Sequence, residues 1–282
     1  MSGGVSVSDP NYDWLSELPL PPGDPFLRMG TRGLDEALWL TTDHRTAEEL
    51  ELRSRILREY PEHAQLLTGH DDALAELIDC VVAFRGEPLT IGPVVDGVRS
   101  ELADLAVTIQ EDVLFMVRND EHWYLAGGVL MFPDQWTLPD KIGRSMAQIH
   151  EPTDGYDELL EAKADQFLDR LSPGRVVRRR NWFVHDEPTH FLDRHVDQRA
   201  VVNPDEVEGL WLRSERQTLR RLERSDAIVF TVKTQFAPFA EVKARPEVAA
   251  ELVAFLEQAS DRSLDNKDVA GRERAVVAYL TQ

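Results

Sequence analysis

The chain has 282 residues, 42% of them hydrophobic, and its 31 Lys and Arg against 51 Asp and Glu leave a formal charge of −20. That composition supports a buried core rather than disorder, and so acidic a surface repels phosphate, which argues against a nucleic-acid partner. One cysteine, Cys80, excludes an intramolecular disulfide or a cysteine-based metal cluster within one chain. With no basic-then-apolar leader and no run near the ~18 apolar residues that span a bilayer, the sequence reads as cytoplasmic and without a membrane partner.

Residues 1–25 contain five of the sixteen prolines and read as an extended arm that packs Trp14 and Leu18 onto the body, with residues 26–282 forming a single domain. Helical spacing over 43–61, stopped by Pro61, and again over 71–84 predicts a helical lead-in. The stretch DLAVTIQEDVLFMVRNDEHWYLAGGVLMFP then changes period and predicts two strands in a hairpin about 118–121. In QWTLPDKIGRSMAQIHEP, Pro139 opens a helix that residues 145–150 continue and Pro152 ends, placing His150 at its carboxyl end. A further amphipathic helix covers DELLEAKADQFLDRL; strands follow over 176–185, 209–219 and 227–235, and helices over 247–258 and 273–280. The basic run 175–180 is interrupted by two valines and reads as a strand with arginines on a solvated face. Five strands with helices between the second and third imply an α+β fold, one antiparallel sheet with helices on one face.

Nucleotide-loop, dinucleotide-fingerprint, zinc-protease, nucleophile-elbow and CxxC motifs do not occur in the sequence. Of the eight histidines, only His185, His190 and His195 are closely spaced, and their spacing matches no zinc pattern, so they read as a polar loop after a strand.

A different set of residues carries information together: FPxxW (132–136), KIG (141–143), IHxP (149–152), RxNW (179–182) and LRxERQTLxRL (212–222), preceded by PFLRMGTRGLD and LWLTTD. On these ordered motifs, over about 26–255, the chain resembles the haem-dependent oxidative N-demethylases, also described as dimethylamine monooxygenase haem subunits. The resemblance implies a PAS-like fold holding haem b, with oxygen activated at its iron. Electrons would come from a separate reductase, and a small secondary or tertiary amine would lose a methyl group as formaldehyde. The sequence IHEPTDGY, where a proline-rich continuation is more usual, and RGEPL, where a longer aromatic segment is common, bear on substrate preference and partner docking.

Within that reading His150, the one histidine inside the matched core motifs, is the expected iron ligand, with His122 and His185 as fallbacks. Its alternative role is a helix-end histidine favoured by the macrodipole. Lys141, Arg178, Arg180, Arg213 and Arg216 are cations suited to haem propionates, Arg180 and Arg216 above the others, unless they form ordinary salt bridges on strand faces. Trp136 and Trp182 would line the haem or fill the core. Glu215 is the expected counter-ion or base for an amine, with Arg213 beside it, or else an Arg–Glu pair tying strands. Strand alternation puts Arg213 and Glu215 on one face and Ser214 and Arg216 on the other, so Arg213, Glu215 and Arg216 share a pocket only across a bulge. Two other functions use the same features: a haem sensor or carrier of oxygen or another gas, without turnover, and a haem-free binder of small molecules. Against the sensor, no signalling domain or heptad run is attached.

Overall fold

The computed structural model describes residues 13–20, 30–95, 97–150, 158–196 and 200–282, with the backbone alone at 147, 150 and 158–163. In chain order the elements are β1 (Arg32–Gly33), α1 (Thr46–Glu59), β2 (Ala64–Leu66), α2 (Asp71–Arg85), α3 (Glu101–Ala106), β3 (Asp112–Arg118) and β4 (Trp123–Val129). Next come α4 (Leu138–Lys141), α5 (Met146–His150), α6 (Glu158–Arg170), β5 (Val176–His185), β6 (Trp211–Arg221), β7 (Ile228–Pro238), α7 (Phe239–Lys243), α8 (Pro246–Gln258), α9 (Asp261–Asp265) and α10 (Glu273–Thr281).

The strands form one antiparallel sheet in the order β1-β5-β6-β7-β3-β4-β2, an α+β fold. The predicted hairpin is β3–β4. The start of the first predicted strand is instead α3, whose Ser100 side chain accepts the Ala103 N–H and caps a segment with apolar residues on several sides. The two edge strands, of two and three residues, are too short for alternation to reveal.

Helices cover both faces rather than one. In β3 the run Val113–Met116 is apolar at every position. Val113 and Phe115 pack with α1, α2 and α3, while Leu114 and Met116 pack on the other side with Leu138, Met146, Ile149, Phe167 and Leu168 of α4, α5 and α6. A bulge at Ala126 reverses the parity of β4: Gly127 and Val129 register with Phe115 and Val113, but Leu125 registers with Met116. Trp123 and Leu125 thereby reach the α4–α6 side. Gly127 is required by close backbone approach, since a Cβ there would lie 2.4 Å from the Gln65 carbonyl oxygen. The third cluster buries Trp182, Val184, Leu212 and Ala237 under α7, α8, α9 and α10, together with Leu15 and Leu18 of the arm.

The helix predicted through 139–150 is two helices. Gly143 takes a left-handed φ of 81°, and Ser145 then caps α5 reciprocally with Gln148, the Ser145 N–H donating to Oε1 and the Gln148 N–H to the serine hydroxyl.

Two buried carboxylates fix the lead-in helices. Asp112 pairs with Arg53 of α1 at 2.6 Å and accepts the Met131 and Phe132 N–H groups at 2.8 Å, tying α1 to the FPxxW segment. Glu76 of α2 accepts the Glu223, Arg224 and Ser225 N–H groups and the Ser225 hydroxyl, closing the β6–β7 turn. Burial alone would raise its pKa; the donors of Arg224, Ser225 and Glu223 outweigh it and hold the carboxyl below its ordinary range. Glu76→Ala is expected to cost roughly 1.5–3 kcal/mol in denaturant unfolding. The folded pKa is depressed, so this contribution is present at neutral pH, is lost as acid carries the group through that lowered value, and the two proteins converge there.

Candidate functional site

Strands β5, β6 and β7 pair without a register shift over their shared length, so alternation holds throughout and the two faces carry different chemistry. One face, toward α1–α3 and the arm, presents Arg180, Arg216, Ser214, Lys233 and Gln235. Here Arg216 donates to the Trp39 and Leu38 carbonyls at 3.1 and 2.5 Å, and Lys233 pairs with Glu49. Arg180 donates to Ser214 Oγ at 3.0 Å, Gln235 Oε1 at 2.7 Å and Glu17 Oε2 at 3.2 Å. Arg178 meets the same Glu17 oxygen at 2.6 Å. Beneath them Glu111 is fully buried; burial raises its pKa, partly opposed by two hydrogen bonds from Thr41 and by the Arg216 charge. Trp182 lies on this side too, fully buried and edge-on to Phe255 at 5.2 Å. This face is closed by protein.

The opposite face is half-open. Arg179, Asn181 and Phe183 of β5, Glu215 of β6, and Phe230, Val232 and Phe236 of β7 all remain half-buried, although they stand on the middle strands of the sheet. Partly exposed aromatic rings on middle strands are the kind of surface a ligand can cover. Trp136, Met146 and Ile149 pack at its α4–α6 end with Leu219, Val177 and Phe230. Lys141 Nζ donates to the Ile149 carbonyl at 2.5 Å, at the end of α5 where His150 stands. The His150 side chain and residues 151–157 lie outside the described residues.

At the centre of this face Glu215 sits beside Arg213, with Nη2 to Oε1 at 3.5 Å, and accepts from Gln217 Nε2 at 2.9 Å. Its cross-strand neighbour Thr234 has a buried hydroxyl without a hydrogen-bond partner. Arg213 is fully buried and also serves Asp134 Oδ2 at 3.4 Å, the Phe132 carbonyl at 2.9 Å and the Thr189 carbonyl at 3.4 Å. Two carboxylates thus compete for one guanidinium. Burial raises both, but Arg213 and His185, whose Nε2 is 3.5 Å from Asp134 Oδ1, bring Asp134 below its ordinary range. For Glu215 burial outweighs the Arg213 charge, the Gln217 hydrogen bond and the Arg179 charge, and the Asp134 charge adds to the rise. Asp268, raised by burial and by Asp134, completes the group at 3.8 Å from His185.

The structure therefore brings Glu215 and Arg213 together, on the face reached by α5, Lys141 and Trp136. It puts Arg180, Arg216 and Trp182 on the other face. Since β6 has no bulge, one pocket between the sheet and a ligand does not use both sets. Sequence reasoning missed Asp134, Thr234 and Asp268. Asp134 occupies an unspecified position of FPxxW, and the others fall outside the quoted motifs. Of the loop histidines, His185 meets the two aspartates; His190 lies between Phe132 at 4.5 Å and Phe236 at 5.0 Å, and burial, followed by nearby cations, lowers its pKa to about 3. Among the described residues no group of three His, Cys, Asp or Glu is placed to hold a metal ion. His122 lies in the β3–β4 turn, where its carbonyl accepts the Asn119 N–H.

A family model described as haem-dependent oxidative N-demethylase, alpha subunit-like, matches residues 85–277. The chain belongs to this family. The matched span runs from the end of α2 into α10 and contains all of the half-open face. No helix among the described residues is long and apolar enough to cross a membrane.

A haem group demands an apolar wall, cations for its propionates and a polar group near the iron. The half-open face of this N-demethylase-like chain fits these demands. Phe183, Phe230, Val232 and Phe236 would supply the wall, Arg179 the cation, and the orphaned Thr234 hydroxyl and Glu215 the polar groups.

Proposed function

We propose that the chain is a PAS-like, haem b-binding, cytoplasmic enzyme that removes a methyl group from a small secondary or tertiary amine, using O2 and electrons from a separate reductase and releasing formaldehyde. The observation that carries this reading is a charge-competent carboxylate, Glu215, at the centre of a half-open aromatic face in a chain of this family. Bound haem supplies the iron at which oxygen is reduced and the N-methyl carbon oxidised.

The rest belongs to the chain. Arg179 holds a propionate, and Lys141 steadies the end of α5 so that His150 supplies the iron's nitrogen ligand. Phe183 and Phe236 exclude water and favour a cationic amine over their faces. Glu215 Oε1 and Oε2 accept the ammonium N–H, and Thr234 Oγ orients it. Arg213, held by Asp134 and two backbone carbonyls, keeps the Glu215 carboxylate turned to the open face and is a positioning residue. Trp136 packs against the same apolar cluster as Met146 and Ile149 of α5.

The test is Glu215→Gln, assayed for amine-dependent formaldehyde release per bound haem. Loss of one charge-assisted contact worth about 1.5–3 kcal/mol lowers the rate roughly 10- to 150-fold. Burial already disfavours the Glu215 charge, so the amide should not lower the melting temperature at neutral pH. In the wild type kcat/KM should rise with pH through the raised pKa of Glu215, and this rise should vanish in the variant. An unchanged rate with a lower melting temperature would make Glu215 a strand-tying partner of Arg213.

A further inference from the structure

Lys267, in the turn after α9, has no part in the chemistry above. Its carbonyl accepts the Val184 N–H at 2.9 Å, seating the turn along the outer edge of β5. From there Nζ reaches Asn181 Oδ1 at 2.5 Å and lies 5.5 Å from the Trp182 ring and 5.4 Å from the Phe183 ring. Asn181 is the direct cross-strand neighbour of Glu215, so the amine stands at the border of the half-open face.

We propose that the Lys267 amine captures a small aldehyde on this face, reversibly and covalently; the identity of that aldehyde as formaldehyde rests on the demethylase reading. Three charged groups face Nζ: Arg179 from β5, Glu215 from β6 and Asp268 from its own turn. Burial first and the Arg179 charge second lower its pKa to about 7, against the opposing charges of Glu215 and Asp268. A large fraction of the amine is therefore neutral at physiological pH, where an ordinary lysine is almost wholly protonated.

The nitrogen lone pair forms a C–N bond with the carbonyl carbon. The C=O π pair moves to oxygen, which takes the proton that nitrogen sheds to give a carbinolamine; a proton from solvent on the hydroxyl then lets the C–O bond break, releasing water and leaving an iminium. No oxidant or reductant is consumed, and water reverses each step. Asn181 Oδ1 orients the amine for the first of them.

The experiment treats the purified protein with formaldehyde and cyanoborohydride, which reduces the iminium to a stable methyl-lysine, and follows each of the five lysines by peptide mass spectrometry. Lys267 should methylate at least about tenfold faster than Lys243 at pH 7, and its rate should fall about tenfold per pH unit below that. In Lys267→Arg the dominant label should vanish while labelling of the other four lysines stays unchanged, which shows an intact fold. Labelling of Lys267 no faster than Lys243, or without the fall in acid, overturns the proposal. Neither substrate nor reductase is present, so failure here leaves the demethylase reading standing. Absent amine turnover with rapid Lys267 labelling overturns that reading alone.

Discussion

Arg213→Met is expected to destabilise the protein by about 3–5 kcal/mol, the usual consequence of removing one partner from a buried ion pair. The methionine keeps most of the apolar volume against Phe236, whose ring lies 5.6 Å from the guanidinium, so the loss isolates charge and hydrogen bonding from packing. It leaves the Phe132 and Thr189 carbonyls without their donor and removes the guanidinium that Asp134 and Glu215 share. For a chain of this size the melting temperature should drop by about 6–20 °C. Arg213→Lys, which keeps the charge but loses the fork, should fall between the two. A loss below about 1 kcal/mol would show that Asp134 and Glu215 do not depend on this guanidinium.

The second large effect is expected from His150→Ala. If His150 is the iron's nitrogen ligand, the variant should retain haem at least ~10-fold more weakly, since even outer partners of a metal ligand are worth that much. Its fold should persist, because the sheet and its three apolar clusters are built elsewhere. Circular dichroism checks the second point and equilibrium haem titration the first. An unchanged haem affinity and spectrum would move the ligand to another residue.

The strands β5, β6 and β7 were legible because each is long and has polar residues that punctuate its apolar ones, arginines in β5 and β6 and Thr231, Lys233 and Thr234 in β7. Parity along β6 alone predicted that Glu215 and Arg213 share a face opposite Arg216, and the pairing with both neighbours bears this out. What the sequence did not disclose was which face would be sealed. Arg180 and Arg216 looked like ligand-binding cations, yet their partners are Glu17 and the carbonyls of Leu38 and Trp39, which come from more than 160 positions away in the chain. The covering of both sheet faces was hidden in β3, where a continuous apolar run has no period to read. Asp134, His185 and Asp268 become a group only through tertiary approach of two loops to the end of β5, which local pattern does not encode.

The central claim is that the half-open face of the sheet, with the end of α5, holds haem. Titrating the purified wild-type chain with haem and recording its absorption spectrum tests it most directly. The account predicts a Soret band that saturates at a stoichiometric end point and shifts on reduction and on admission of oxygen. A spectrum that remains that of free haem throughout the titration would contradict it.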